Sequence, residues 1–173
     1  PTSAQAIADS LAHWDDIDVH FRGTVESSGG HGFCGIGRKR LLNILQDRAR
    51  ELGVRLHFEV EIDPEDLPDA DLIIASDGIN SRVREKHADV FKPDIDERAN
   101  KFVWLGTKKV FDAFTFIFVE TVHGWVWAHA YRFDDDLSTF IVECSEETWR
   151  GLGFGEMDQD ETCRACEALF ADQ

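Results

Sequence analysis

The sequence predicts an α+β fold in which an α/β segment is followed by an antiparallel β-sheet. Apolar residues alternate between helical and strand spacing more than once in the first half of the chain. From Phe102 onward, aromatic and β-branched residues become denser and turn residues separate them at short intervals. With 173 residues, of which 43% are hydrophobic, the chain can fill one sizeable core or two small ones.

Elements of both types are predicted in the first half from caps, apolar spacing and turn residues. In order, they are a helix from Thr2 or Ser3 to about Trp14, a hairpin of strands 17–21 and 24–27, an amphipathic helix over 38–52 stopped by Gly53, and strands at 54–60 and 72–75.

The second half is predicted to form four strands and a final helix. The strands are expected at 102–107, 114–120, 124–133 and 139–144. Asp158 caps the helix at 158–171, and Glu161 completes a capping box.

Residues 71–84, DLIIASDGINSRVR, form the most informative segment of the chain. An apolar strand is followed by the turn pair Asp77-Gly78, and Asn80 or Ser81 then caps a short helix that carries Arg84. A helix N-terminus favours anions, a guanidinium binds phosphate, and a carboxylate accepts from hydroxyl groups. The segment therefore predicts a site for a phosphate-bearing ligand, although Asp77-Gly78 alone would indicate only a turn.

This segment resembles the Asp-Gly motif of the FAD-dependent aromatic hydroxylases built on the p-hydroxybenzoate hydroxylase fold. Asp77, Gly78, Ser81 and Arg84 follow that family's order. By this resemblance Asp77, Gly78 and Arg84 contact FAD. Residues 37–45 resemble the family's helix whose leading arginine approaches the flavin, which is Arg38 here.

Further segments resemble the subfamily of hydroxylases that act on aromatic CoA thioesters. They are residues 13–16, 29–33, 102–107, 129–133 and 138–144. The resemblance implies a partial fold with interleaved FAD and substrate domains. The expected parts are a helix and hairpin of the substrate domain at 1–31, a partial FAD domain at 32–92, and the substrate-binding sheet with a C-terminal helix at 93–173.

Family members also contain a Gly-rich FAD-binding strand and turn before these segments and a Gly-Asp segment after them, and this sequence has neither. We therefore expect it to be an internal fragment of such an enzyme, inactive when isolated.

Residues 30–35 also fit the dinucleotide-binding pattern G-x-G-x-x-G. The residues before Gly30 are polar rather than a buried strand, and the next helix begins only at Arg38. We interpret these glycines as a flexible crossing between domains.

Composition excludes several classes of partner. The formal net charge of −16 argues against nucleic acid and anionic membranes, which require basic surfaces, and it also opposes CoA unless the basic residues cluster. No apolar run could span a bilayer and no signal peptide is recognisable, which predicts a cytoplasmic protein.

The cysteines and histidines do not predict a metal site. Cys163 and Cys166 form a C-x-x-C pair, but they lie within a predicted helix rather than at a strand-to-helix turn. The seven histidines show no ligand-like spacing. We expect reduced thiols and no metal.

Strand 124–133 has two contrasting faces. Alternation places Trp125, Trp127, His129 and Tyr131 on one face and small residues on the other. Core packing is the favoured interpretation for the two tryptophans. His129 and Tyr131 are either hydrogen-bonded structural groups or catalytic groups that orient the hydroxyl or amino substituent of a substrate ring.

The resemblance implies hydroxylation of an aromatic ring with dioxygen, FAD, and NADH or NADPH as reductant. The implied substrate is an aromatic small molecule or an aromatic CoA thioester such as salicylyl-CoA. His129 is the candidate for sharing a proton with the ring substituent. Two alternatives stay open, namely a non-catalytic module that binds ligand or forms a homodimer through its aromatic sheet, and a flavin oxidoreductase that does not activate oxygen.

Overall fold

The computed structural model describes residues 2–172 and has the mixed α and β composition that the sequence predicts. The helices are α1 Ser3–Ala8, α2 Arg38–Glu51, α3 Arg82–Lys86, α4 Ala88–Phe91, α5 Glu146–Gly151 and α6 Gln159–Leu169, with a 3₁₀ turn at Phe154–Glu156. The strands are β1 Ala12–Trp14, β2 Ile17–Phe21, β3 Thr24–Ser28, β4 Phe33–Gly35, β5 Lys101–Thr107, β6 Phe114–Thr121, β7 Gly124–Arg132 and β8 Ser138–Cys144.

The chain divides into two compact units. One contains residues 1–53 and 99–173, and the other contains Val54–Arg98. The expected boundaries at 31/32 and 92/93 describe domains of a larger fold and stay a prediction.

A six-stranded sheet dominates the first unit, in the order β3-β2-β6-β7-β8-β5. All neighbours are antiparallel except β2 and β6, which pair in parallel from Ile17 opposite Phe114 to Phe21 opposite Phe118. The predicted hairpin is therefore part of the same sheet as the four predicted strands, although 97 positions along the chain separate each residue of β2 from its partner in β6.

One face of this sheet forms the core. Val126, Ala128 and Ala130 of β7 are fully buried, and Ile117 and Val142 of the neighbouring strands are almost so. Cys166 and Phe170, at the C-terminal end of α6, pack against this face. The predicted capping box at Asp158 and Glu161 starts α6.

The core-packing interpretation of Trp125 and Trp127 was wrong, because the core lies on the opposite face of β7. Both rings are only half-buried. Trp125 stacks on Phe21 of the hairpin, with ring centroids 5.4 Å apart. The small side chains of β7 allow helices to pack closely, whereas the large rings cover the other face.

The prediction of a first helix reaching Trp14 was also wrong. The helix ends at Ala8, with Thr2 as its N-cap, and Ala12–Trp14 instead forms a strand that pairs antiparallel with Phe33–Gly35. Trp14 is 8% exposed and stacks on Phe33. Tertiary packing of the indole therefore outweighs local helix propensity.

The second unit contains less regular structure than the sequence predicts. Residues 54–60 and 72–75 were expected to be strands, but neither segment is in a strand. Leu72 is 76% exposed and Ile74 is 79% exposed. Two short helices, α3 and α4, are the regular elements described in this unit.

No helix within residues 2–172 combines the length and the apolar character that crossing a bilayer requires.

Candidate functional site

The open face of the six-stranded sheet contains a groove of about 930 Å³. Its floor consists of side chains from β6, β7 and β8, including Phe114, His129 and Tyr131. Trp14 and Phe33 of the small β1–β4 sheet also line it, as does Trp104 of the edge strand β5. Its size and aromatic lining suit a flat organic ligand or two stacked ones, since ligand pockets typically range from ~300 to ~1,000 Å³.

The aromatic rings of the groove support one another by stacking. Tyr131 lies between Trp14, at 5.7 Å and 19°, and Phe114, at 5.3 Å and 15°. Stacked pairs of this kind contribute roughly 0.5–1.5 kcal/mol each beyond area burial. The Tyr131 ring is therefore held in a fixed orientation.

Gly35 allows Trp14 to occupy this position. A Cβ atom on Gly35 would lie 3.1 Å from Cη2 of Trp14 and 3.3 Å from the carbonyl oxygen of Arg132. Backbone in this position cannot easily retreat, so a side chain there would displace the indole.

His129 lies beside Tyr131 on the same face of β7. Its ring is 6.2 Å from Phe114 and meets Phe116 edge-on at 6.1 Å. Within residues 2–172, neither the His129 ring nor the Tyr131 hydroxyl makes a hydrogen bond to protein. Their polar atoms can therefore bond to a ligand.

Arg38 begins α2 and lines the same groove. Among the described lining residues it is the one with a full charge, although the protein carries a net charge of −16. An anionic group of a ligand would be drawn to this end of the groove.

The structure therefore places three of the predicted site residues, Arg38, His129 and Tyr131, around one cavity. Trp14, Phe33 and Phe114 belong to it as well but were not predicted as site residues. Trp14 was missed because the sequence placed it at the end of a helix rather than in a strand. Phe114, Phe116 and Phe118 alternate along β6, and this pattern could have predicted that Phe114 lies on the aromatic face of the sheet.

The other predicted cofactor residues, Asp77, Gly78 and Arg84, lie in the second unit. Asp77 accepts hydrogen bonds from Ser81 Oγ at 2.6 Å and from the Val83 amide at 3.3 Å. The Ser81 bond is the largest cause of the lowered pKa of Asp77. Ser81 in turn caps α3 by accepting from the Arg84 amide, so Asp77 supports the helix start.

Asp77 and Arg84 face different cavities of this unit. Asp77 lines one of about 480 Å³ together with Arg82, whereas Arg84 lines one of about 450 Å³. The Arg84 guanidinium donates to the carbonyl oxygen of Ile79, and no ion pair within residues 2–172 joins it to Asp77. The expected convergence of carboxylate and guanidinium is thus absent, and their FAD contact stays a prediction.

Arg82 lines the same cavity as Asp77. It bonds to Glu61 at 2.9 Å and to Asp63 at 2.7 Å, and these contacts connect α3 to the segment around Pro64. The Glu65 amide and Arg82 together lower the pKa of Asp63. This exposed cluster organises the loop and leaves Arg82 less available to a ligand.

Three proteins of known activity are similar in sequence to this chain. A salicyloyl-CoA 5-hydroxylase from a Streptomyces species is 43% identical over 159 residues, covering 91% of this chain and 31% of that protein. The protodeoxyviolaceinate monooxygenase of Chromobacterium violaceum is 33% identical, covering 88% and 41%. The 3-hydroxy-4-methyl-anthranilyl-[aryl-carrier protein] 5-monooxygenase of Streptosporangium sibiricum is 34% identical, covering 83% and 40%.

The fold also has solved counterparts. PqsL, a probable FAD-dependent monooxygenase from Pseudomonas aeruginosa, superimposes with a TM-score of 0.60 at 15% identity, covering 96% of this chain and 55% of PqsL. PqsL has also been solved in complex with 2-aminobenzoylacetate. No protein-family model matches the chain.

This chain is therefore related in sequence to aromatic monooxygenases and has part of the fold of an FAD-dependent monooxygenase. It spans about a third to two fifths of the length of the curated relatives that it matches.

Proposed function

We propose that this chain, a relative of aromatic monooxygenases over most of its length, is the ring-binding part of an FAD-dependent enzyme that hydroxylates an aromatic substrate. The supporting observation is the aromatic groove on the open face of the sheet, with Arg38, His129 and Tyr131 around it. It provides flat walls for a ring, two uncommitted polar groups and one cation.

The groove fits part of a flavin as well as a substrate ring. Its volume of about 930 Å³ exceeds what a single benzene-sized ring requires, and Arg38 would hold an electron-rich part of the cofactor at the groove's charged end. When bound, FAD, reduced by NADH or NADPH, would supply the oxygen chemistry. Asp77, Gly78 and Arg84 stay candidates for contacting other parts of FAD.

The residues of this chain would then orient the ring and adjust its electronics. Trp14, Phe114 and Tyr131 would form an aromatic wall that orients a planar ligand. His129 would accept or share the proton of a ring hydroxyl or amino group, which increases electron density in the ring. Tyr131 would hold the same substituent through its hydroxyl group.

The proposed substrate is an aromatic acyl thioester, such as salicylyl-CoA. Two of the three relatives are named for thioester-linked aromatic rings, one on CoA and one on a carrier protein. We place the reaction in the cytoplasm, and a homodimer is one form in which the enzyme could act.

The test uses the full-length protein with FAD bound, supplied with NADH or NADPH, dioxygen and salicylyl-CoA. We expect a hydroxylated thioester, and His129→Gln should lower the product formed per NAD(P)H consumed by about tenfold while substrate binding is kept. His20→Gln is the matched control, because His20 lies on β2 outside the groove. Equal coupling in wild type and His129→Gln would exclude the role of His129.

One observation favours a second candidate, a non-catalytic module. Phe102 and Trp104 on the edge strand are 64% and 66% exposed, which is typical of surfaces that bind another molecule. A colourless full-length protein that binds aromatic thioesters would support this candidate, and light scattering would identify a homodimer. A yellow protein that oxidises NAD(P)H but forms only peroxide would indicate the flavin oxidoreductase alternative.

A further inference from the structure

One buried hydroxyl group of the sheet, that of Thr139 on β8, has no hydrogen-bond partner within residues 2–172. Thr139 is only 6% exposed. The other buried polar residues in this part of the chain all make side-chain hydrogen bonds to protein, and they are Ser81, Thr115, Ser138 and Thr148. Because buried polar groups are nearly always hydrogen-bonded, the free hydroxyl of Thr139 indicates a partner from outside the protein.

Thr139 lies on the floor of the aromatic groove. The strand register places it opposite Tyr131 on β7 and Gly106 on β5, so the three positions share one face of the sheet. The Oγ1 atom of Thr139 is not sealed within the protein and can be reached from the groove. The groove therefore contains a third hydrogen-bonding group, in addition to His129 and Tyr131.

The side chains around Thr139 leave room for a ligand group. In the neighbouring row of the sheet, His129 faces Ile141, and Ile141 faces Trp104 on β5. In the row of Thr139 the β5 position is Gly106, where a Cβ atom would meet no other atom within 4 Å. Open space thus lies beside Thr139 on the groove face of β5, whereas Trp104 fills the equivalent position in the next row. A ring substituent can enter this space and reach the hydroxyl.

The spacing of the polar groups suits a single aromatic ring. Thr139 lies directly opposite Tyr131 and diagonal to His129. Opposite residues on neighbouring strands have Cβ atoms roughly 4.5–5.5 Å apart, and diagonal neighbours are roughly 7–8 Å apart. Side chains at these separations can contact two substituents of the same ring.

A second polar contact changes what the groove can do. Aromatic walls hold the plane of a ring by stacking, but only contacts at the edge of the ring restrain rotation within that plane. With one edge contact, at His129 and Tyr131, a ring can still turn about it. A further contact at Thr139 fixes which ring carbon is presented for oxygen transfer.

We propose that Thr139 is a specificity-determining residue that sets the in-plane orientation of the substrate ring. Its hydroxyl donates a hydrogen bond to an oxygen-bearing substituent of the ring, while His129 and Tyr131 hold another substituent. This inference rests on the proposed function and deepens it, because Thr139 then determines the ring position that is hydroxylated.

Ligand binding to the full-length protein with FAD bound tests this contact without requiring turnover. Salicylamide and phenol are neutral probes that differ by the second ring substituent. Thr139→Val should weaken salicylamide binding about fivefold, as expected for the loss of one neutral hydrogen bond, and should change phenol binding by less than about twofold. Thr139→Ser should restore salicylamide binding, and Thr139→Ala is a second variant that lacks the hydroxyl. Isothermal titration calorimetry provides the dissociation constants.

Turnover provides a second measurement. With salicylyl-CoA, dioxygen and NADH or NADPH, the wild-type enzyme should form one main hydroxylated isomer. Thr139→Val should increase the share of other positional isomers about fivefold, because the ring is no longer held at both substituents. Thr139→Ser should keep the wild-type ratio. Chromatography and NMR of the products measure the isomers.

Thr115→Val is the matched control. Thr115 is also buried, but it lies on the other face of the sheet, and its hydroxyl donates to the carbonyl oxygen of Ala113 at 3.1 Å. This variant should lower Tm while leaving salicylamide binding and the isomer ratio unchanged. Thr139→Val should leave Tm nearly unchanged, because no hydrogen bond to protein is lost.

The outcomes separate this inference from the proposed function. A wild-type protein that binds salicylamide but hydroxylates no aromatic substrate would overturn the proposed function, and the binding comparison would still decide whether Thr139 contacts the ring. If Thr139→Val weakens both probes equally, or neither, the contact at Thr139 is overturned. The same isomer ratio in wild type and Thr139→Val would overturn its role in orientation. A wild-type protein that binds neither probe would overturn both proposals.

Discussion

The two units of this protein respond differently to similar strand patterns. In the first unit, the strand patterns at 17–21, 114–120 and 139–144 all become paired strands. In the second unit, equally apolar segments at 54–60 and 72–75 remain outside any strand. An apolar strand pattern thus specifies a strand where a partner is available, because a strand requires backbone hydrogen bonds from a neighbour.

The difference follows from how the partners are supplied. β6, β7 and β8 are antiparallel neighbours joined by short turns, so each provides the next with a hydrogen-bonded edge. A buried parallel strand instead requires partners brought from distant parts of a chain. Within residues 2–172, segment 72–75 has no such partner, and its apolar side chains stay exposed.

The largest expected effect compares matched isoleucine substitutions in the two units. Ile117 is 1% exposed and Ile74 is 79% exposed. Ile117→Ala should reduce the free energy of unfolding by about 2–4 kcal/mol, because it leaves a cavity in the core. Ile74→Ala should change it by less than about 0.5 kcal/mol. Urea unfolding followed by circular dichroism measures both, because all five tryptophans lie in the first unit and their fluorescence would report on that unit alone.

Equal losses for the two substitutions would contradict the comparison, since Ile74 would then be buried in the molecule that unfolds. In that case residues 72–75 would form a paired strand in solution.

The next effect concerns a glycine in the first unit. Gly124 has a φ of 122°, and a Cβ atom there would lie 2.5 Å from Thr148 Oγ1. Gly124→Ala should therefore destabilise the protein by about 1–3 kcal/mol. Gly106→Ala, where a Cβ meets nothing, is the control and should be nearly neutral. Thermal unfolding of both variants provides the measurement, and an equal shift in Tm would exclude steric conflict at Gly124.

The elements that were predictable are those whose signals are local. The hairpin, the four strands of the second half and the capping box at Asp158 all follow from alternation, turns and caps within a few residues, and the structure confirms them. The mixed α and β fold was predictable for the same reason. The parallel pairing of β2 with β6 has no local signal and was not predicted.

The candidate site was predictable only in part. His129 and Tyr131 follow from alternation along β7, and Arg38 from the start of α2. Trp14 depends on the pairing of β1 with β4, a contact made across 18 or more residues, whereas the local pattern favoured a helix. The convergence of Asp77 and Arg84 was expected from order along the chain, but Asp77 bonds to Ser81 instead.

The smallest expected effect is a pH dependence in the second unit. The Ser81 hydroxyl lowers the pKa of Asp77 below its ordinary value of 3.8. The carboxylate therefore stabilises the start of α3 above that pH, and the contribution is lost as the pH falls through the lowered pKa. Asp77 is solvent-exposed, so we expect only local fraying of α3, observed as shifts of the Val83 and Arg84 amide resonances in NMR spectra between neutral and acidic pH.

Asp77→Asn should remove this titration while the resonances of β7 stay unchanged. If the amides of Asp77→Asn titrate as in the wild type, the cap is controlled by another group, and the lowered pKa of Asp63 would make that residue the next to test.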